Sequence, residues 1–193
     1  MSIHGYARYA DTLPQAAVTA EEFEEMKASV LFGEADVVAL KRSVSILDPQ
    51  IESILDVWYG FVGSLPHLLI DFSDPSSGPI DRYLGQVRAR FGQWIRDTAE
   101  ANYDEQWIRW QVEIGRRHHR VGKNKTDDVT STPLVRFRHL FLLAQPIVHT
   151  LRTFLEKGGD ERETVDAMQE AWRKSVLLQV TLWSAPYIHQ GDF

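Results

Sequence analysis

The sequence predicts an all-α domain, on three observations. Apolar residues recur at helical spacing nearly throughout. No stretch sustains a period-two alternation, and no interior hairpin signal is present. Capping residues stand where periodic segments begin.

Composition narrows the function. The 193 residues suffice for one compact domain spanning 1–193 with a sizeable core. The net charge of −6 argues against a nucleic-acid partner. The chain has no cysteine, which excludes disulfides, thiolate metal sites, iron–sulfur clusters and cysteine nucleophiles. No run approaches about 18 consecutive apolar residues, so no membrane partner is expected. The N-terminus lacks the basic start and apolar run of a secretory signal. The cytoplasm is the expected compartment. Six tryptophans, mostly at helical spacing, imply large flat surfaces to be packed.

Residues 1–18 read as an irregular arm with Gly5, Tyr6, Tyr9 and Pro14. Thr19 and Glu22 form a capping box for the first helix, and Gly33 is expected to close it. Residues 34–47 form a second helix with Val37, Leu40, Val44 and Leu47 on one face. Asp48 is expected to cap a third, with Pro49 in its first turn and Ile51, Ile54, Leu55, Trp58 and Val62 inward. A short helical turn follows Pro66, and "SDPSSGPID" (73–81) reads as a loop. Helices follow at 81–97, with Leu84, Val87, Phe91, Trp94 and Ile95 inward, and at 103–119, with Trp107, Trp110, Ile114 and His118 inward. A polar, basic connection spans 120–133. Two long helices close the chain at 133–156 and 160–185, split by Gly158-Gly159. The first presents Leu140, Leu143, Ile147, Leu151 and Phe154. The second presents Val165, Met168, Trp172, Val176, Gln179 and Trp183.

The candidate chemistry starts at "EIGRRHHR" (113–120). His118 continues the stripe of Trp107, Trp110 and Ile114. His119 lies about 100° further round, over Gly115, Val112 and Ile108. That face is also partly apolar, so helical phase separates the two weakly and favours His118 as the inward one. Both also suit a solvated helix C-terminus, where cations meet the dipole. A zinc site fits poorly: adjacent histidines diverge and no HExxH is present.

A second constellation lies in "ILDVWYGFVGSLPHLL" (54–69), which sets Trp58 beside Tyr59. With Phe91, Leu143 and Ile147 these residues can form a flat apolar slot. One wall has a tyrosine hydroxyl and another an imidazole, the combination haem requires. The same aromatics also make an ordinary helical core. A haem-free regulatory or interaction domain therefore remains the competing reading.

Four stretches carry a resemblance: "ILDVWYGFVGSLPHLL", "VRARFGQWIRDT", "WQVEIGRRHHRVGKNKTD" and "LQVTLWSAPYIHQGDF". Together they resemble the protoglobins, single-domain haem globins related to the globin domain of globin-coupled sensors. The similarity runs from Gly5-Tyr6 to the C-terminus. The resemblance implies a globin fold, three helices over three, with an extra N-terminal helix at 20–32. It implies haem b (iron protoporphyrin IX) on a proximal histidine, which falls on His118. On the distal side Trp58 and Tyr59 match the family's aromatic pair, Phe91 a phenylalanine and Ile147 an aliphatic residue. Where a second distal phenylalanine is expected, this chain has Leu143. Val87, Ile114 and Leu140, on the inner helix faces, complete the expected cofactor contacts. The arm at 1–18 is expected to cover the haem.

The implied ligands are the diatomic gases O2, CO and NO, with the Tyr59 hydroxyl or the Trp58 indole as donor. Arg90 is the candidate partner of a haem propionate, or else a solvated helix residue. The implied roles are gas sensing, gas binding or detoxification, with a homodimer through the last two helices. No motif marks a dedicated enzyme, although haem supports promiscuous chemistry such as peroxidation. A sensor of this length is expected to need a partner to read its state. The basic run at 116–125 could suit phosphate or nucleic acid, against the acidic balance of the chain.

Overall fold

The structure is a computed structural model and describes residues 2–189 and 191–193. Met1, the first residue of the expected arm, and Gln190, in the closing motif, lie outside the described residues.

Helix α1 (Ala20–Ser29) starts on the expected box. The Thr19 hydroxyl accepts the Glu22 N–H at 3.2 Å, and the Glu22 carboxylate accepts the Thr19 N–H at 2.7 Å. Gly33 does not close this helix. The chain reverses at Leu31 (φ 55°), where the Phe32 N–H reaches the Lys27 carbonyl at 2.8 Å. Gly33 instead precedes α2 (Glu34–Leu47) as its N-cap. A left-handed leucine costs about 1–2 kcal/mol. Burial of Phe32 next to it offsets that cost.

Asp48 is not a cap either. Its backbone is right-handed helical, so α2 runs through a 3₁₀ turn at Asp48–Gln50 directly into α3 (Ile51–Gly63). The Asp48 carboxylate is taken by Arg96 Nε at 2.6 Å instead of by a helix N-terminus. Helix α4 (Pro66–Leu69) and a 3₁₀ turn at Ile70–Phe72 follow. The loop at 73–81 carries an antiparallel ladder where no hairpin was expected, pairing Ser73 with Pro79 and Asp74 with Gly78. Two residues per strand are too few for alternation to show in the sequence.

Helix α5 (Asp81–Glu100) ends at Ala101 in the left-handed region. Helix α6 (Glu105–His118) is capped by Asp104, which accepts the Trp107 N–H at 2.6 Å. Helix α7 (Phe137–Leu155) begins later than expected. The segment before it is pinned extended by the Val135 N–H on the His118 carbonyl at 2.8 Å. Pro146 lies inside α7 without ending it, and the carbonyl it leaves without a helical donor belongs to the exposed Leu142. Helix α8 (Arg162–Ser184) completes the set.

Helix α8 packs on α2, α5, α6 and α7, while α3 packs on α5 and α7. All six residues expected on the inner face of α8 are buried: Val165, Met168, Trp172, Val176, Gln179 and Trp183. Each large apolar one contributes about 1.5–3 kcal/mol by burial. Gln179 keeps this face dry by taking the Trp94 Nε1–H at 2.6 Å and donating to the Thr98 hydroxyl at 3.1 Å. Helices α6 and α8 meet at Gly115. A Cβ there would stand 2.6 Å from the Trp183 carbonyl oxygen, so only glycine permits the approach.

The arm is tied down by side chains that donate to its backbone. Arg109 donates to the carbonyls of Leu13 and Pro14 at 2.7 and 2.9 Å, and Arg90 to that of His4 at 3.0 Å. Arg117 holds the Gly5 carbonyl. The Tyr6 hydroxyl donates to Asp97 at 2.9 Å, and Arg8, fully buried, lies 3.4 Å from the same carboxylate.

Candidate functional site

A cavity of ≈ 240 Å³ lies among α3, α5, α6, α7 and the end of α8. A single water needs about 10–15 Å³ on this measure, so the space suits a large ligand. All ten residues singled out from the sequence line it: Trp58, Tyr59, Val87, Arg90, Phe91, Ile114, His118, Leu140, Leu143 and Ile147. His119 does not. It forms the C-cap of α6 and meets the Tyr187 ring edge-on at 4.8 Å.

His118 is held in one orientation. Its Nδ1 lies 2.8 Å from the Ile114 carbonyl, four residues back on α6. A carbonyl can only accept, so Nδ1 carries the proton and donates it. In the neutral ring Nε2 is therefore the unprotonated nitrogen, and no described residue bonds to it. The ring stacks on Trp183 with centroids 5.4 Å apart and planes 10° apart. Gly115 permits this stack, because it brings the Trp183 backbone against α6 three residues before His118. Burial holds the imidazole below the ordinary histidine range, aided by Lys123 and opposed by the Ile114 hydrogen bond. The site thus presents a neutral, tautomerically fixed nitrogen lone pair, as a metal ligand requires.

On the α3 side, Trp58 packs edge-on against Phe91 at 5.8 Å, and Tyr59 against Phe72 and Phe91 at 6.3 and 6.5 Å. Trp58, Val62 and Leu68 form a small apolar cluster of their own, joined by Phe91, Leu143 and Ile147. Neither the Tyr59 hydroxyl nor the Trp58 indole N–H has a partner among the described residues, so both are free donors. Burial raises the Tyr59 phenol, which keeps its proton.

One part of the wall is polar, and the sequence did not reveal it. Lys123, only 6% exposed, donates to the Asp71 carbonyl at 2.9 Å, the Tyr83 hydroxyl at 3.1 Å and Asn124 Oδ1 at 3.2 Å. The Asp71 carboxylate accepts from the Thr132 hydroxyl at 2.7 Å. Arg90 lines the cavity with its guanidinium clamped on Asp127 at 2.6 and 2.9 Å. His139 also lines the cavity, its Nδ1 buried with no partner among the described residues. Tyr83 could have been found, since it lies one turn before Val87 on the inner stripe of α5. Nothing in the basic run around Lys123 signals that this one lysine turns inward.

The order and packing of the helices match those of a globin domain. It is similar to the globin domain of the Geobacter sulfurreducens globin-coupled sensor, with a TM-score of 0.66 over 86% of this chain and 97% of that one, at 18% identity. The fold is the three-over-three globin sandwich with α1 as an additional N-terminal helix. The protoglobin family model matches residues 19–193, and the chain belongs to the protoglobin family. A comparison with the curated proteins finds no match. No single helix among the described residues is long and apolar enough to cross a membrane.

Proposed function

We propose that this chain is a haem b globin that binds O2, CO or NO reversibly, with His118 as the axial ligand of the iron. The observation that carries the reading is the His118 ring: Nδ1–H is committed to Ile114, and Nε2 is left unprotonated and unbonded at a large, mainly apolar cavity. The lining fits a porphyrin. Val87, Phe91, Ile114, Leu140, Leu143, Ile147 and Trp183 supply apolar contact for a flat macrocycle. Haem held here by His118 would supply the iron that takes up a diatomic gas.

The protein's own residues do the rest. Ile114 fixes the His118 tautomer, and Trp183 fixes its plane. The Tyr59 hydroxyl and the Trp58 N–H would be the hydrogen-bond donors to a gas ligand in this cavity. Phe91, Leu143 and Ile147 exclude water from that side. Leu143, smaller than the aromatic residue expected there, leaves more room for the ligand. The arm, pinned through Tyr6 to Asp97, walls the cavity and shields the cofactor. Family membership and the single gas-binding site support roles in sensing, binding or detoxification. Exposed Phe141, Leu142 and Leu177 on α7 and α8 support a homodimer through those helices.

The test is an absorption spectrum of the purified protein as isolated, after dithionite and after CO, for wild type and His118→Ala. The expected result is a Soret band that shifts with CO in the wild type and collapses or changes ligation in the variant. A normal spectrum in the variant moves the axial role to another residue. A wild-type protein that takes up no haemin sinks the globin function.

A further inference from the structure

Among the described residues the cavity wall carries three basic side chains besides histidine: Arg90, Arg117 and Lys123. Two of the three are already neutralised. Arg90 makes two bonds to the buried Asp127 carboxylate and a third to the His4 carbonyl. Arg117 Nε lies 2.8 Å from the Glu113 carboxylate, and its Nη1 donates to the Gly5 carbonyl. Lys123 is different. All three of its acceptors are neutral oxygens, and among the described residues no carboxylate stands within ion-pair distance. Its ammonium also lies over the Tyr83 ring at 5.0 Å. An unpaired buried charge is costly, and burial pulls this lysine down to about 8, with Asp71 and Asp127 opposing the fall.

Tyr83 completes the arrangement. Its hydroxyl accepts from Lys123, and its own proton goes to no described acceptor. Tyr83 lines the same cavity and its phenol is held neutral by burial. An ammonium and a phenol O–H, adjacent and both on the cavity wall, are the donor pair that a carboxylate accepts from.

We infer that Lys123 and the Tyr83 hydroxyl seat a carboxylate of the tetrapyrrole bound in this cavity. This rests on the haem reading above and takes the place of Arg90 as the partner of that group. The carboxylate would supply the negative charge Lys123 lacks, in exchange for one neutral acceptor such as Asn124 Oδ1, the longest of the three bonds at 3.2 Å. Arg90, by contrast, would have to give up Asp127 to bind it, leaving that buried carboxylate only the exposed His4, 3.7 Å away.

The test uses the full chain freed of endogenous haem, titrated with metal-free protoporphyrin IX and with its dimethyl ester. Binding is read from quenching of the tryptophans that line the cavity. Metal-free porphyrins remove the contribution of His118, and the ester removes the carboxylate charge. Lys123→Met should weaken binding of the acid by about ten-fold while changing the ester by less than about two-fold. Tyr83→Phe, the milder change in case Lys123→Met does not fold, should weaken the acid about three-fold with the same selectivity. Lys123→Arg should restore part of the acid's affinity. Arg90→Met should affect acid and ester alike. Equal losses for the two porphyrins in the Lys123 and Tyr83 variants, or no loss, would overturn the inference and leave the haem reading standing. A wild-type chain that binds neither porphyrin nor haemin overturns both.

Discussion

Adding one carbon at Gly115 should damage the fold and the candidate site together. The new Cβ would stand 2.6 Å from the Trp183 carbonyl oxygen, 2.7 Å from its Cα and 3.0 Å from its carbonyl carbon. All three are backbone atoms, so no side chain can swing away. Ordinary contact begins at 3.4 Å, so α8 must withdraw by roughly 0.8 Å. A retreat of that size forfeits about a quarter to a half of the dispersion attraction of each contact it opens. Overpacking of this kind costs about 1–3 kcal/mol. Replacing glycine by alanine inside a helix returns about 1 kcal/mol, so the net loss is at most about 2 kcal/mol. For a chain of this size that lowers Tm by up to about 8 °C. The assay is thermal and urea unfolding at matched haem occupancy, since a bound ligand adds stability of its own. The same retreat parts His118 from Trp183, so haemin should also dissociate faster from Gly115→Ala. A variant as stable as wild type, with unchanged haemin retention, would refute the close-approach argument.

Three other outcomes are expected. Tyr59→Phe and Trp58→Phe each delete one free donor; whichever donor meets the gas should speed O2 release by about ten-fold with little effect on CO, measured by stopped flow. Neither variant changing O2 release would remove the donor role from both residues. Burial holds His118, His119 and His139 below the ordinary histidine value. The unfolded chain then binds protons that the folded chain refuses, so stability is full above about pH 6.5 and falls as the pH drops below it. Urea midpoints of the haem-free chain between pH 8 and 5 should show this fall, shallower in His118→Gln; an equal slope would dismiss His118 as a contributor. Asp97→Ala leaves Arg8 as a buried charge without a counter-ion and should cost about 3–5 kcal/mol, with faster proteolysis within residues 1–18. An arm no easier to cleave would show that Asp97 does not hold it.

Much of the fold was legible because each helix writes its buried face into its own sequence. Spacing alone put six residues of α8 inward, and all six are buried. The same spacing favoured His118 over His119, and only His118 reaches the cavity. Boundaries were harder to read. Gly33 looked like a stop for α1, but Leu31 takes the left-handed turn because Phe32 must enter the core. Asp48 looked like a cap, but α2 and α3 remain joined through their 3₁₀ turn and its carboxylate is drawn off by Arg96.

The sequence by itself determined the helices, their inner faces and, through its motifs, the family. Tertiary structure alone decided the state of the polar groups. Arg90 on α5 and Lys123 in the basic connection after α6 are both cationic, yet one is neutralised by Asp127 and the other meets only neutral oxygens from Asp71, Tyr83 and Asn124. Gly115 likewise reads as a weak point in a helix until α8 lies against it. The physical reason is range. Amphipathic spacing is a local property of one segment, whereas the partner of a buried charge and the neighbour of a missing side chain come from segments distant in the chain and are fixed only when the helices pack.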